Sequence, residues 1–325
     1  MALRIAPIVF LAIALAPTTW LRTANTKDYD APISMTAIIE PGEALPAGWV
    51  LGGIWEYEAQ SLRFGGFSAM LTRGSDRLQA FSDRGVRFTF GQPDHPQGDP
   101  PELAPQLVEP GRANELWDIE SATRDPRSGR YWLGYENAHA INRFSLANET
   151  DGLRILAGEV DWPSNGGAEA MVRLDDGRFL VVPEGGGEAL LYPGDPVERA
   201  VPQRLAWRSP DPDFSITEAA QLPDGRLLLL LRKLAWDFPV FASRIALADL
   251  PDAAGGAIEP RIILDLSAVV PTENYEAMAV RGREDGTVDL WIMSDDNLSI
   301  MQRTLLVQLR LDPRTIGQAG DKTRD

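Results

Sequence analysis

The chain holds no cysteine. That excludes disulfides, thiolate nucleophiles and zinc–thiolate centres, and it leaves the compartment open, because an exported protein can dispense with thiols. Histidine is nearly missing too. His95 and His139 are the only two; they are not spaced as metal ligands, and no HExxH occurs. A Ser-His-Asp esterase would have to take its base from this pair, with His139 the one placed beside an acidic residue, Glu136. Gly66-Phe67-Ser68-Ala69-Met70 is not a nucleophile elbow, since Met70 stands where the second glycine belongs. Gly185-Gly186-Gly187 lacks the Lys-Ser/Thr pair of a phosphate loop.

Positive charge is scarce as well. Lys and Arg number 31 against 47 Asp and Glu, a formal charge of -16. Nucleic-acid binders present basic stripes to phosphates, so no nucleic-acid partner is expected, and the same charge disfavours anionic membrane surfaces. A soluble monomer acting on a small molecule is the expected state, and cation binding is compatible with the charge.

Long apolar runs are limited to one. Arg4 precedes the apolar stretch 5–16, which ends in Ala14-Leu15-Ala16. One basic residue, an apolar core and small-x-small is a secretory pattern. The stretch is short of the ~20 residues that span a bilayer. Pro17 disfavours a cut directly after Ala16, which leaves cleavage near Ala24 or retention as an anchor. Residues 1–24 are therefore read as a signal peptide or N-terminal anchor, and 25–325 as one domain, periplasmic or secreted.

What the chain has in quantity is glycine and proline, 29 and 25, placed between short runs of Val, Leu, Phe and Trp. This is the pattern of many strands joined by turns. Five segments repeat one plan: a polar residue in an apolar run, a Gly-containing turn, a second apolar run, then another polar group. The first polar position is held by Ser68, Glu120, Glu169, Glu218 and Glu276, which are 52, 49, 49 and 58 residues apart. Asp176-Gly177, Asp224-Gly225 and Asp285-Gly286 mark turns of hairpins. The Arg after the turn precedes the second polar position by six residues in four repeats: Arg77 to Asp83, Arg130 to Glu136, Arg178 to Glu184, and Arg226 to Arg232.

Each repeat leaves room for two more strands. Four strands every 40–50 residues is the blade of a β-propeller. The expectation is an all-β propeller of five or six four-stranded blades. A sixth blade would be built around residues 49–64. Pairing of the early run 33–40 with the C-terminal run 303–311 would close the ring and remove exposed sheet edges. Residues 92–113 and 236–270 read as long insertions. The tryptophans, among them Trp117, Trp132, Trp162 and Trp291, read as packing between blades.

Several runs together resemble a known family. They are Arg63-Phe64-Gly65-Gly66-Phe67-Ser68-Ala69, Ser82-Asp83-Arg84-Gly85, Asn274-Tyr275-Glu276-Ala277-Met278, Ser294-Asp295-Asp296-Asn297 and Gln302-Arg303-Thr304. The combination, over roughly residues 35–311, is similar to the bacterial phytase-like propellers, also called esterase-like activity of phytase. The resemblance implies an exported propeller, and the family's name points to esters.

Glu120, Glu169, Glu218 and Glu276 would form one acidic ring, and Asp83, Glu136, Glu184 and Asp295 a second. Crowded carboxylates repel unless a cation binds, protons remain, or backbone N–H groups satisfy them. Ca²⁺ takes six to eight oxygen ligands in flexible geometry. Two readings follow: a Ca²⁺-type site at the propeller mouth, with Glu120 and Glu169 serving catalysis, or carboxylates that cap neighbouring blades. Arg84, Arg232 and Lys233 fall in the same frame. Arg84 would orient a phosphate or carboxylate of the substrate, or pair with the acidic ring. A metal-assisted ester or phosphoester hydrolase is the first functional expectation. A non-catalytic ligand- or protein-binding propeller is its rival, and a sugar-lactone hydrolase a third.

Overall fold

In a computed structural model the chain is described at residues 21, 26–38, 45–94, 100–108, 110–112, 115–163, 166–184, 186–235, 239–251 and 256–316. The expected signal segment and His95 lie outside them, apart from Leu21.

Five sheets form the five blades of a propeller. Blade I contains Phe67–Arg73, Arg77–Ser82, Val86–Gly91 and Glu102–Pro105. Blade II contains Ile119–Arg124, Tyr131–Tyr135, Ala140–Phe144 and Thr150–Ile155. Blade III contains Ala168–Arg173, Phe179–Pro183, Gly187–Tyr192 and Gln203–Trp207, with the short strand Ala257–Ile258 added in parallel. Blade IV contains Ser215–Gln221, Leu227–Leu234, Phe241–Ala248 and Arg261–Asp265.

Blade V is composite. Tyr275–Gly282, Val288–Ser294 and Thr304–Leu311 come from the C-terminal part; Trp49–Ala59 and Ile33–Ile38 complete the sheet from the N-terminal part. No sixth blade forms among the described residues. The run expected to start one is Trp49–Ala59, which pairs antiparallel with Thr304–Leu311 from Trp49↔Leu311 to Tyr57↔Thr304. Ile33–Ile38 pairs not with the C-terminal strand but with the outer side of Trp49–Ala59. The segment read as an insertion at 236–270 holds the last two strands of blade IV and the added strand of blade III.

The turns form for local reasons. Asp176, Asp224 and Asp285 each accept a hydrogen bond from the backbone N–H two residues on, at 3.0, 3.1 and 2.9 Å. The intervening Gly takes the left-handed backbone that such turns require.

Apolar packing lies between blades. One cluster sits at each of the five junctions. Blade IV shows how a strand serves two of them. Leu227, Leu229 and Leu231 pack toward blade III, while Leu228 and Leu230 pack toward blade V, as the two-residue period of a strand dictates. All five are fully buried, each contributing about 1.5–3 kcal/mol of burial. Trp132 and Trp291 are buried as expected, whereas Trp117 is 53% exposed and Trp162 only partly covered.

Candidate functional site

The innermost strands neighbour one another around the ring, blade I to II, III, IV, V and back to I. Each carries a β-bulge against its hairpin partner. The register skips one residue per strand: Ser68, Glu120, Glu169, Thr217 and Glu276. A bulged residue is left out of the ladder and its side chain is re-aimed. These five therefore point into the channel mouth, and all five line one cavity of about 270 Å³.

In blade IV the bulge falls on Thr217, one residue before the expected Glu218. Glu218 instead pairs with Leu230, in the frame of Ala69, Ser121, Ala170 and Ala277. It lines neither the acidic cavity nor the one at the other end of the channel. Fully buried, it accepts a hydrogen bond from the Ala219 N–H at 3.0 Å. The amides of Ala122 and Met171 also lie close to its carboxyl. Burial pushes its pKa well up despite those amides.

The second expected ring surrounds the first. Asp83, Glu136, Glu184 and Asp295 all line the cavity. Asp118, which the repeat reading passed over, lines it too. Asp118 adopts φ 68° at the position where blade I has Gly66. Aspartate tolerates that backbone better than most residues. Its N–H bonds the Asp83 carbonyl at 2.8 Å, and its own carbonyl takes the Glu136 N–H at 2.9 Å. Asn137 braces the preceding loop, taking the Trp117 N–H and donating to the Glu115 carbonyl.

Eight carboxylates thus share the cavity with one guanidinium, that of Arg232. Arg232 bonds Glu276 and Asn274 and lies 3.6 Å from Glu184. Arg84, expected to face the substrate, does not line the cavity. It pairs with Asp83 at 3.1 Å and donates to the Gly65 carbonyl at 2.8 Å. Lys233 pairs with Asp213 at 2.7 Å. Asp296 holds the blade I–V junction, accepting from the N–H groups of Gly66 and Leu298 and from the Thr304 hydroxyl. His139 follows the same turn as Glu136, but its ring packs edge-on against Trp162 and does not line the cavity.

Electrostatics follow from crowding. Burial raises Glu120 and Glu169 well above the ordinary carboxylate range, and neighbouring carboxylates add to it. Burial, then Glu276, does the same for Asp295. Burial raises Glu276 even with Arg232 beside it, and Asp83 even with Arg84. Glu136 is pushed up to about 7, by burial and then by Asp118 and Glu184.

Two carboxylate triads stand out. Asp118, Glu120 and Glu136 each offer an oxygen within 4.8 Å of the other two, and so do Glu136, Glu169 and Glu184. Glu136 belongs to both. Its approach depends on Gly167, where a Cβ would lie 2.6 Å from the Glu136 Cα. The donors are all carboxylate oxygens, a set that suits hard cations such as Ca²⁺ or Mg²⁺ and not soft metals.

The fold and this mouth define a five-bladed propeller with an acidic, oxygen-rich channel entrance. The family model "Phytase-like: Esterase-like activity of phytase" matches residues 62–298, and the chain belongs to that family. No curated sequence relative matches. Among solved structures, the chain is similar to a luciferin-regenerating enzyme, with 10% identity, TM-score 0.45, and 89% of this chain and 91% of that one covered. It is also similar to a calcium-binding protein, regucalcin, of Agrobacterium tumefaciens, with 12% identity, TM-score 0.45, and 82% and 88% covered. The extracellular domain of a putative one-component system of B. thetaiotaomicron matches at 14% identity and TM-score 0.38 over 81% of this chain. The chain spans 32% of that relative's length.

Proposed function

We propose that the acidic mouth binds a divalent cation of the Ca²⁺ type and serves hydrolysis of an ester or phosphoester. The observation that carries the reading is the pair of carboxylate triads sharing Glu136. Asp118, Glu120, Glu136, Glu169 and Glu184 would hold the cation. A bound cation supplies charge neutralisation and a more acidic water. The chain's own groups do the rest. Burial and crowding favour the neutral carboxyls of Glu120 and Glu169 when the mouth is empty; ionised beside a cation, a carboxylate oxygen there would serve as the general base. Ser68 and Thr217 complete the bulge ring, with the Ser68 hydroxyl bonded to Glu276 and the Thr217 hydroxyl donating to the Leu230 carbonyl at 3.4 Å.

One observation favours the rival, a binding propeller without catalysis. Arg232, the cation of the cavity among the described residues, is already engaged by Glu276 and Glu184, so an anionic substrate must rely on the metal. The two readings separate on one assay: a panel of carboxylic esters, lactones and phosphomonoesters, with Ca²⁺ and with chelator. Calcium-dependent turnover that is lost in Glu169→Gln supports the hydrolase. Calcium binding with no turnover of any class supports the binding propeller.

Export is part of the proposal, resting on the basic-then-apolar N-terminus. No helix among the described residues is long and apolar enough to cross a membrane.

A further inference from the structure

The opposite end of the channel has the reverse charge. Four of the five innermost strands close on arginine: Arg73, Arg124, Arg173 and, one residue before its strand end, Arg281. Blade IV has Gln221 there. Arg124, Arg173 and Arg281 line a cavity of about 390 Å³, whose walls include Met70, Val172 and Met278. Among the described residues, the one acidic residue lining it is Asp175, which is exposed. Glu218 lines neither end.

The arginines are not equally satisfied. Arg281 donates to the carbonyls of Gly74, Ser75 and Arg77. Arg73 donates to Gln79, Asn148 and the Leu146 carbonyl. Arg173 lies 3.7 Å from Asp125. The Arg124 side chain makes no hydrogen bond and no ion pair among the described residues, although it is partly buried, repelled by Arg281 and Arg73, and attracted at longer range by the adjacent Asp125. Burial, and then Arg281, lowers its pKa. Guanidinium groups of one sign are gathered in a concavity on a protein that is otherwise strongly acidic. An unpaired, partly desolvated cation there is costly unless an anion visits it.

We infer that this second mouth is a binding site for a small oxyanion, a phosphate or carboxylate carried on a compact organic body, with Arg124 as its main anchor. The guanidinium fork matches the paired oxygens of such groups, and the apolar wall would take the organic part. The site is independent of the acidic mouth and of any hydrolysis there.

The test is a calorimetric titration of the full chain with inorganic phosphate at low ionic strength, on protein stripped of cations and then exchanged into metal-free, chelator-free buffer, so that the acidic mouth is silent and no polycarboxylate competes. Alongside run Arg124→Gln and Arg208→Gln, the latter removing an equal charge from an exposed arginine outside this cavity. The expected result is saturable one-site binding that is at least tenfold weaker in Arg124→Gln and unchanged in Arg208→Gln. Without phosphate, Arg124→Gln should melt no lower than wild type, because the side chain has no internal partner to lose. Vesicles containing phosphatidylglycerol should not compete. Absence of saturable phosphate binding overturns the inference, as does binding retained in Arg124→Gln. Binding to the vesicles but not to phosphate overturns it as well, since the anion recognised would then be a lipid headgroup.

Discussion

Glu136→Gln probes the conflict in the acidic mouth directly. Glu136 is raised from 4.5 to about 7. A carboxyl raised in the folded state stabilises fully below its unfolded pKa, and that contribution is lost as pH rises through the folded one. Without a cation, the wild type should therefore lose stability between about pH 4.5 and pH 7. Unscreened, the displacement corresponds to about 3 kcal/mol. Glu136 is only half-buried, and solvent screening reduces this to about 1–2 kcal/mol. Glutamine removes the charge and keeps an acceptor for the Gly167 N–H that favours the carboxylate. In chelator at pH 8 the variant should be more stable by about 1–2 kcal/mol, raising Tm by about 1.5–3 °C. At pH 4 the two proteins should melt together. In millimolar Ca²⁺ at pH 8 the order should invert, because the wild type gains binding free energy that the variant lacks. Scanning calorimetry in the three buffers measures this. A variant less stable than wild type in chelator at pH 8 would refute the reasoning, showing that hydrogen bonds already satisfy the carboxylate.

Substitutions at three other positions bear on how the mouth is built. Glu218→Gln should leave stability at pH 7 within about 1 kcal/mol, since the buried carboxyl is already favoured in its neutral form, whereas Glu218→Ala should cost about 2 kcal/mol or more by opening a void and stranding the Ala219 N–H; equal urea midpoints for the two would contradict this. Gly167→Ala pushes a methyl against the Glu136 backbone and should cost about 1–3 kcal/mol, together with weaker Ca²⁺ binding by titration. Asp296→Ala strands the buried N–H of Gly66 and the hydroxyl of Thr304 and should cost about 3 kcal/mol in denaturant unfolding, while a loss under 1 kcal/mol would remove Asp296 from its role at the blade junction.

The hairpins were legible because Asp-Gly turns and apolar runs recur at nearly constant spacing, and each recurrence is a blade. The choice between five and six blades was not, because Trp49–Ala59 reads as a strand whichever sheet receives it; only its pairing with Thr304–Leu311 decides. The acidic mouth was visible as a repeated polar position, but the residue that faces the channel is set by a bulge. A one-residue shift in register turns a side chain to the other face. Thr217-Glu218 offers two polar candidates side by side, and the more acidic one is the buried one. Asp118 could have been found from its alignment with Gly66, a position calling for left-handed backbone. Arg84 and Arg232 occupy neighbouring frame positions, and only the turn that follows each strand determines which enters the cavity. The arginines ending the inner strands were in plain view, yet an Arg after an apolar run looks like any solvent-facing strand end.

The central claim is a cation held by Glu136 and its neighbours. Calorimetric titration of chelator-treated protein with CaCl₂ at pH 7.5, beside the Glu136→Gln/Glu169→Gln double variant, tests it most directly. The account predicts saturable binding with proton release in the wild type, because raised carboxyls must ionise to coordinate, and binding at least a hundredfold weaker in the variant. No binding in the wild type, or equal binding in the two, would contradict it.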